Sequence, residues 1–93
     1  IEVAMAAGLS RDALVLDPGL GFAKQPEDDF QVLAKLETFQ SLARPLLLPI
    51  SRKGFLGAAL DLPNPADRDA ATVGAFVNGW MNGGHIFRVH NVN

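Results

Sequence analysis

Pro45-Leu46-Leu47-Leu48-Pro49-Ile50-Ser51-Arg52-Lys53 is the stretch that decides the fold: an unbroken apolar run stopped abruptly by a hydroxyl and two cations. Side chains of a strand alternate between the two faces of its sheet. A run apolar at every position therefore suits a strand covered on both sides, as in parallel sheets. Pro49 cannot donate to a ladder and is expected at the strand end or beside a bulge. Upstream, Leu14-Val15-Leu16 is a shorter run of the same kind, stopped by Asp17-Pro18-Gly19; downstream, His85-Ile86-Phe87-Arg88-Val89-His90 reads as a third strand. Between the first two strands, the stretch from Asp28 or Asp29 to about Leu42 sets Phe30, Leu33, Ala34, Leu36 and Phe39 near helical spacing behind an acidic first turn. Between the last two, Gly54 to Leu60 is expected as a short helix and Asp67 to about Asn82 as a longer one. That longer helix takes Asp67 as N-cap, places Ala70, Val73, Val77, Trp80 and Met81 on one face, and stops at Gly83-Gly84. Ile1 to Leu9 reads as the last turns of a helix ended by Gly8.

Strand, helix, strand, helix, strand is a βαβαβ unit with parallel strands and right-handed crossovers. Two architectures use such units, a doubly wound open sheet and a closed (β/α)₈ barrel, and both put ligand chemistry at the carboxyl ends of the strands. The composition narrows the function. The 93 residues hold eight Lys and Arg against ten Asp and Glu, so no electrostatic footprint for bulk nucleic-acid binding exists. No apolar span approaches the roughly 20 residues a membrane helix needs, and the absence of Cys excludes disulfides and thiolate metal sites. A chain of this length sits near the marginal end for burying its own core. It is expected to begin partway through something longer.

Polar residues interrupt the apolar pattern at the same place three times. Asp17 follows the first strand, Ser51-Arg52-Lys53 follows the second, and Arg88 and His90 close the third. In a parallel sheet those ends are neighbours, so an acid, several cations, a hydroxyl and an imidazole converge on one rim. Alternation puts Ile86, Arg88 and His90 on one side of their strand, and Arg88 and His90 are expected to act as a pair. Blander readings stand beside these. Asp17 before Pro-Gly can start a turn by capping its own following amides, and Ser51-Arg52-Lys53 can be a solvated cationic loop. Glu27-Asp28-Asp29 is most simply a helix N-terminus, His85 serves packing or a surface hydrogen bond, and Trp80, Met81, Phe30 and Phe39 are assigned to the core. Gly19-Leu20-Gly21-Phe22-Ala23-Lys24 matches no phosphate-loop pattern; its glycines are expected to shape a loop carrying Phe22 to the pocket. A carboxylate that accepts two parallel N–H bonds, with a planar cation and further donors beside it, suits a flat amide-bearing ring joined to an anionic group.

Four ordered motifs carry a family resemblance: Asp17-Pro18-Gly19-Leu20-Gly21-Phe22-Ala23-Lys24, Ser51-Arg52-Lys53-Gly54-Phe55-Leu56-Gly57, Arg68-Asp69-Ala70-Ala71-Thr72 and Arg88-Val89-His90-Asn91-Val92. Together, from about Leu14 to Val92, they resemble the C-terminal motifs of dihydropteroate synthases. The resemblance implies a C-terminal βαβαβ segment of a TIM (β/α)₈ barrel, with residues 1–93 as part of one pterin-binding domain. It implies a transferase of folate biosynthesis and sulfonamide target, which joins 6-hydroxymethyl-7,8-dihydropterin diphosphate to 4-aminobenzoate and releases diphosphate. Carried over residue by residue, Asp17 and Lys53 hold the pterin, Phe22 and Ser51 help form the 4-aminobenzoate site, and Arg88 and His90 bind diphosphate, Arg88 also lying against the pterin. Lys53, Arg88 and His90 are the catalytic assignments, and Arg52 and Lys24 are lesser candidates. The family also implies Mg²⁺ with ligands upstream of this chain, a homodimer, and a cytoplasmic or mitochondrial location.

Pro49 stands where the family commonly has Gly, which affects the backbone approach to the pterin, and Asn91 often appears as Asp. A barrel of this kind needs about 250 residues, so the 93 residues alone are expected to be inactive. Two further readings compete with the synthase, a pterin-binding methyltransferase domain and a non-catalytic segment. Ser51-Arg52-Lys53 and Arg88-Val89-His90 favour the synthase, because methyl transfer has no diphosphate to hold.

Overall fold

A computed structural model describes residues 1–22 and 25–93. Its centre is the quoted apolar stretch. Leu47–Leu48 (β1) pairs in parallel with Ile86–Phe87 (β2), Leu47 opposite Ile86 and Leu48 opposite Phe87, and Leu46 forms a parallel bridge to Leu16 on the other side. The Leu16 N–H donates to the Pro45 carbonyl at 2.9 Å and the Leu47 N–H to the Leu16 carbonyl at 2.8 Å, while His85 and Ile86 both donate to the Leu46 carbonyl, at 2.9 and 3.1 Å. The extended segments thus lie side by side in sequence order. Their ladders are shorter than the apolar runs imply, and the first strand is reduced to a single bridge. Prolines account for part of this: Pro45 and Pro49 bracket β1 without an N–H to donate. Pro49 directly follows the strand, as its chemistry requires.

Leu46, Leu48 and Ile50 are buried, and Leu20, Leu33, Leu36, Phe55 and Leu56 complete the core around them. Val15 and Ile86 remain 49% and 44% exposed. One face of the sheet is therefore covered and the other is open, where the all-apolar runs predict cover on both.

The helices depart from expectation in two places. The single helix expected to run to about Leu42 is divided into an α-helix at Pro26–Ala34 (α2, following α1 at Glu2–Ala6) and a 3₁₀ segment at Leu36–Leu42. At the junction the Thr38 hydroxyl donates to the Lys35 carbonyl, and the Ser41 hydroxyl repeats the pattern onto Thr38 at 3.0 Å. Such back-bonding competes with the regular ladder. The short helix α3 spans Gly54–Leu60 as expected. The last helix, α4, runs Asp69–Met81, and Asp67 is not its N-cap. Asn64 takes the start instead: it caps a 3₁₀ turn, Pro65–Arg68, its side chain accepting from the Ala66 N–H at 3.1 Å.

The α4 face is also corrected. Thr72 and Gly79 are its buried residues, and Ala71, Ala75 and Phe76 pack on the core. Val73, Val77, Trp80 and Met81 are 62%, 51%, 70% and 73% exposed. The physical cause is close approach: a methyl group at Gly79 would come within 2.5 Å of Leu48 Cδ1. The helix lies on β1 through its small residues and leaves its bulky ones outside. Phe39 packs against the core, and Phe30, 38% exposed, meets Phe55 edge-on at 5.2 Å.

Candidate active site

The rim forms where the apolar segments end. Asp17 follows the Leu16 bridge, and one of its carboxylate oxygens accepts from the Gly19 N–H at 2.8 Å. The turn role is thus real, and the exposed carboxylate also stands at the strand end. The loop continues to Gly21, whose N–H donates at 2.8 Å to Asp29, a carboxylate in α2 only 1% exposed. Gly21 has a φ of +80°, and a Cβ there would meet the Lys53 Cδ at 2.9 Å. The backbone angle favours glycine, and the Lys53 chain lies close against it. Phe22 follows, 64% exposed, with Lys53 Nζ 4.3 Å from its ring centroid, a cation–π distance. Ala23 and Lys24 of this motif lie outside the described residues.

Ser51 is buried where the β1 segment ends. Its Oγ accepts from the His90 N–H at 3.1 Å and lies 2.8 Å from His90 Nδ1. The hydroxyl hydrogen needs an acceptor, and Nδ1 provides one. On that assignment Nε2 carries the imidazole proton and is the donor left for an anion. The structure therefore joins His90 to Ser51 and does not pair it with Arg88, whose exposed side chain makes no hydrogen bond or ion pair among the described residues.

Between Ser51 and Lys53, Arg52 adopts φ +57°. Its guanidinium grips Asp69 at both oxygens, Nε to Oδ1 at 2.8 Å and Nη2 to Oδ2 at 3.1 Å. Its N–H donates to Thr72 Oγ1 at 3.1 Å, and its carbonyl accepts from Arg68 Nη1 at 2.9 Å. Asn91 Nδ2 also donates to Asp69 Oδ2, at 3.1 Å. The Arg52 hydrogen bond, then that of Asn91, holds the Asp69 carboxyl down at about 2, and Asp69 raises Arg52 in turn. Composition and alternation overlook Asp29, Asp69 and Asn91 in these roles. The available signal is the grouping of Arg68, Asp69 and Thr72 at one helix start, one turn apart. His85 sits at the other end of the middle segment, its Nδ1 accepting from the Leu46 N–H at 3.2 Å.

Among the described residues no three His, Asp or Glu side chains gather to hold a metal ion. No helix among them is long and apolar enough to cross a membrane.

Fold and site define a parallel α/β protein whose polar and charged side chains collect at the carboxyl ends of adjacent extended segments. The chain belongs to the pterin binding enzyme family, whose model matches residues 1–90. It is 44% identical over 92 residues to the dihydropteroate synthase of Bacillus subtilis, covering 99% of this chain and 32% of that protein. The crystal structure of the Yersinia pestis dihydropteroate synthase is 40% identical with a TM-score of 0.93, over 98% of this chain and 42% of that one. The Xanthomonas albilineans dihydropteroate synthase, solved in complex with 7,8-dihydropteroate and separately with 4-aminobenzoic acid, is 35% identical at a TM-score of 0.94. It matches over 98% of this chain and 35% and 33% of those chains. The chain spans about a third of the length of the curated relatives it matches.

Proposed function

We propose that this chain is the C-terminal βαβαβ segment of a pterin-binding (β/α)₈ barrel, residues 1–93 forming part of a single domain. The whole protein then condenses 6-hydroxymethyl-7,8-dihydropterin diphosphate with 4-aminobenzoate to give 7,8-dihydropteroate and diphosphate. The observation that carries this reading is the junction of two strand ends, where buried Ser51 fixes the His90 ring at 2.8 Å. The ligands named for the Xanthomonas relative, a pteroate and an aminobenzoate, fit the chemistry of that rim.

In this reading Asp17 accepts from the amino and ring N–H groups of the pterin, and Lys53 donates to the same ring. Phe22 and Ser51 border the 4-aminobenzoate. Arg88 and His90 receive the diphosphate. As the bond between the pterin methylene and oxygen breaks, charge grows on the leaving oxygens, and fixed donors that bind this charge more strongly than the ground state lower the barrier. His90 is held for this by Ser51, with Nε2–H as donor. The aniline nitrogen forms the new bond and then loses a proton to solvent. The assembly is a cytoplasmic homodimer in this proposal, and sulfonamides compete at the 4-aminobenzoate site.

The test is dihydropteroate formation by the complete protein, wild type against Lys53→Ala and Arg88→Ala. Each variant is expected to lose roughly a hundredfold to a thousandfold in rate, the scale of removing one electrostatic donor. A folded complete protein that binds pterin but forms no dihydropteroate overturns the reading in favour of methyl transfer.

A further inference from the structure

We propose that Arg52 is a positioning residue: through Asp69 it holds the Ser51–Lys53 loop and the Arg88–His90 strand end in one register. The inference rests on the function proposed above and assigns a task to three residues, Arg52, Asp69 and Asn91, that touch no substrate in that reading. The contacts close a ring. Ser51 is bonded covalently to Arg52, Arg52 grips Asp69 at 2.8 and 3.1 Å, Asp69 accepts from Asn91 at 3.1 Å, Asn91 follows His90, and the His90 ring returns to Ser51 at 2.8 Å. One carboxylate oxygen, Asp69 Oδ2, receives both Arg52 and Asn91 and so ties the loop after β1 to the segment after β2. Neither strand end can shift without breaking a member of the ring.

The backbone supports the same assignment. A non-glycine residue at φ +57° is strained. Such a conformation persists only where its surroundings over-determine it, and Arg52 is held at its N–H by Thr72, at its carbonyl by Arg68 and at its side chain by Asp69. The left-handed turn puts Ser51 and Lys53, on either side of it, at the rim. Misplacing a reacting group by about 1 Å costs up to about a hundredfold in rate, so a device that fixes two subsites together serves the reaction without entering it.

The experiment uses the complete enzyme with Asp69→Asn, Asn91→Ala and Arg52→Lys. Asn91→Ala removes the cross-link, together with the acceptor of the Asn93 N–H, and leaves the Arg52–Asp69 pair. All three are expected to lose about tenfold to a hundredfold in kcat/KM, with a raised KM for the pterin diphosphate. Arg52→Lys keeps the charge without the planar fork and should restore the melting temperature of the wild type but not its KM. A purely stabilising network predicts something else: fewer folded molecules, a lower apparent kcat and unchanged KM. That pattern overturns the proposal. Titration of the same proteins with inorganic diphosphate needs no turnover. Weaker binding by Asn91→Ala supports the shared register even where wild type makes no dihydropteroate, an outcome that removes the proposed reaction alone; unchanged binding there overturns the register as well.

Discussion

Two carboxylates next to the rim have opposite surroundings, and each makes a prediction. Asp69 is solvent-accessible, yet its pKa lies at about 2 against an ordinary 3.8, because Arg52 and then Asn91 bond to its charged form. The folded-state value is the depressed one, so the stabilisation is complete above the unfolded value and is lost as pH falls from about 4 towards 2. Carboxyl NMR should find the Asp69 midpoint near 2, and Arg52→Gln should move it back towards 3.8. A wild-type midpoint near 4 contradicts the ion pair. Asp29 is buried, and its acceptance of the Gly21 N–H anchors the loop that carries Phe22. Gly21 is exposed, so its N–H can turn to water when the acceptor is removed, and the loss is that of an ordinary hydrogen bond, about 0.5–1.5 kcal/mol. Asp29→Ala should therefore lower stability by that amount and raise the KM for 4-aminobenzoate more than that for the pterin substrate. A spectator helix-start residue predicts no such selectivity. Reading by position alone brings Asp17, Ser51, Lys53 and His90 to the rim because each follows an apolar run. It misses Asp29 and Asp69, whose partners lie 8 and 17 residues away, since a one-dimensional pattern holds no record of which distant amide or guanidinium a carboxylate meets.

Where α3 meets the start of α4, the fit depends on a glycine. A Cβ at Gly57 would lie 2.4 Å from Arg68 Nε, and that guanidinium cannot swing aside freely because it donates to the carbonyls of Leu62, Arg52 and Pro63 at 2.8, 2.9 and 3.0 Å. Gly57→Ala should destabilise by about 1–3 kcal/mol, the usual scale of overpacking. Gly74, inside α4, has nothing within 4 Å of its missing Cβ, so Gly74→Ala should stabilise by up to about 1 kcal/mol through helix propensity. Thermal melts of the pair settle the matter, and equal effects contradict the packing described. The same helix explains a misreading. Apolar residues surround α4, so periodicity supports two faces, Val73-Val77-Trp80 and Thr72-Ala75-Phe76-Gly79. Size favours the first, but only the second lets the helix axis approach Leu48, and burial follows closeness of approach. The strands were legible as apolar runs because a parallel sheet demands them. Their truncation to two-residue ladders was not, since it depends on where prolines interrupt the donors.

At the scale of the molecule, the face of α4 that misses the core is an exposed apolar surface. Val73, Val77, Trp80 and Met81 form an apolar stripe, and Val15 and Ile86 leave the outer face of the sheet partly apolar as well. A helix apolar all round is ordinarily covered on all sides, and exposed patches of this kind drive association. The sheet adds open ladder edges beside Leu16 and β2, where unpaired groups can template another chain. The 93-residue chain alone is therefore expected to self-associate. Its sedimentation should shift to larger species with rising concentration, and Trp80→Lys together with Val77→Lys should reverse the shift. Trp80 is the sole tryptophan and 70% exposed in the single chain, so its emission reports the same event directly: red and easily quenched when dilute, blue-shifted and protected as the species grow. A chain that stays monomeric and melts in one sharp, concentration-independent transition would contradict this, because it would show that the covered face of the sheet alone suffices for a stable fold while the stripe stays in water.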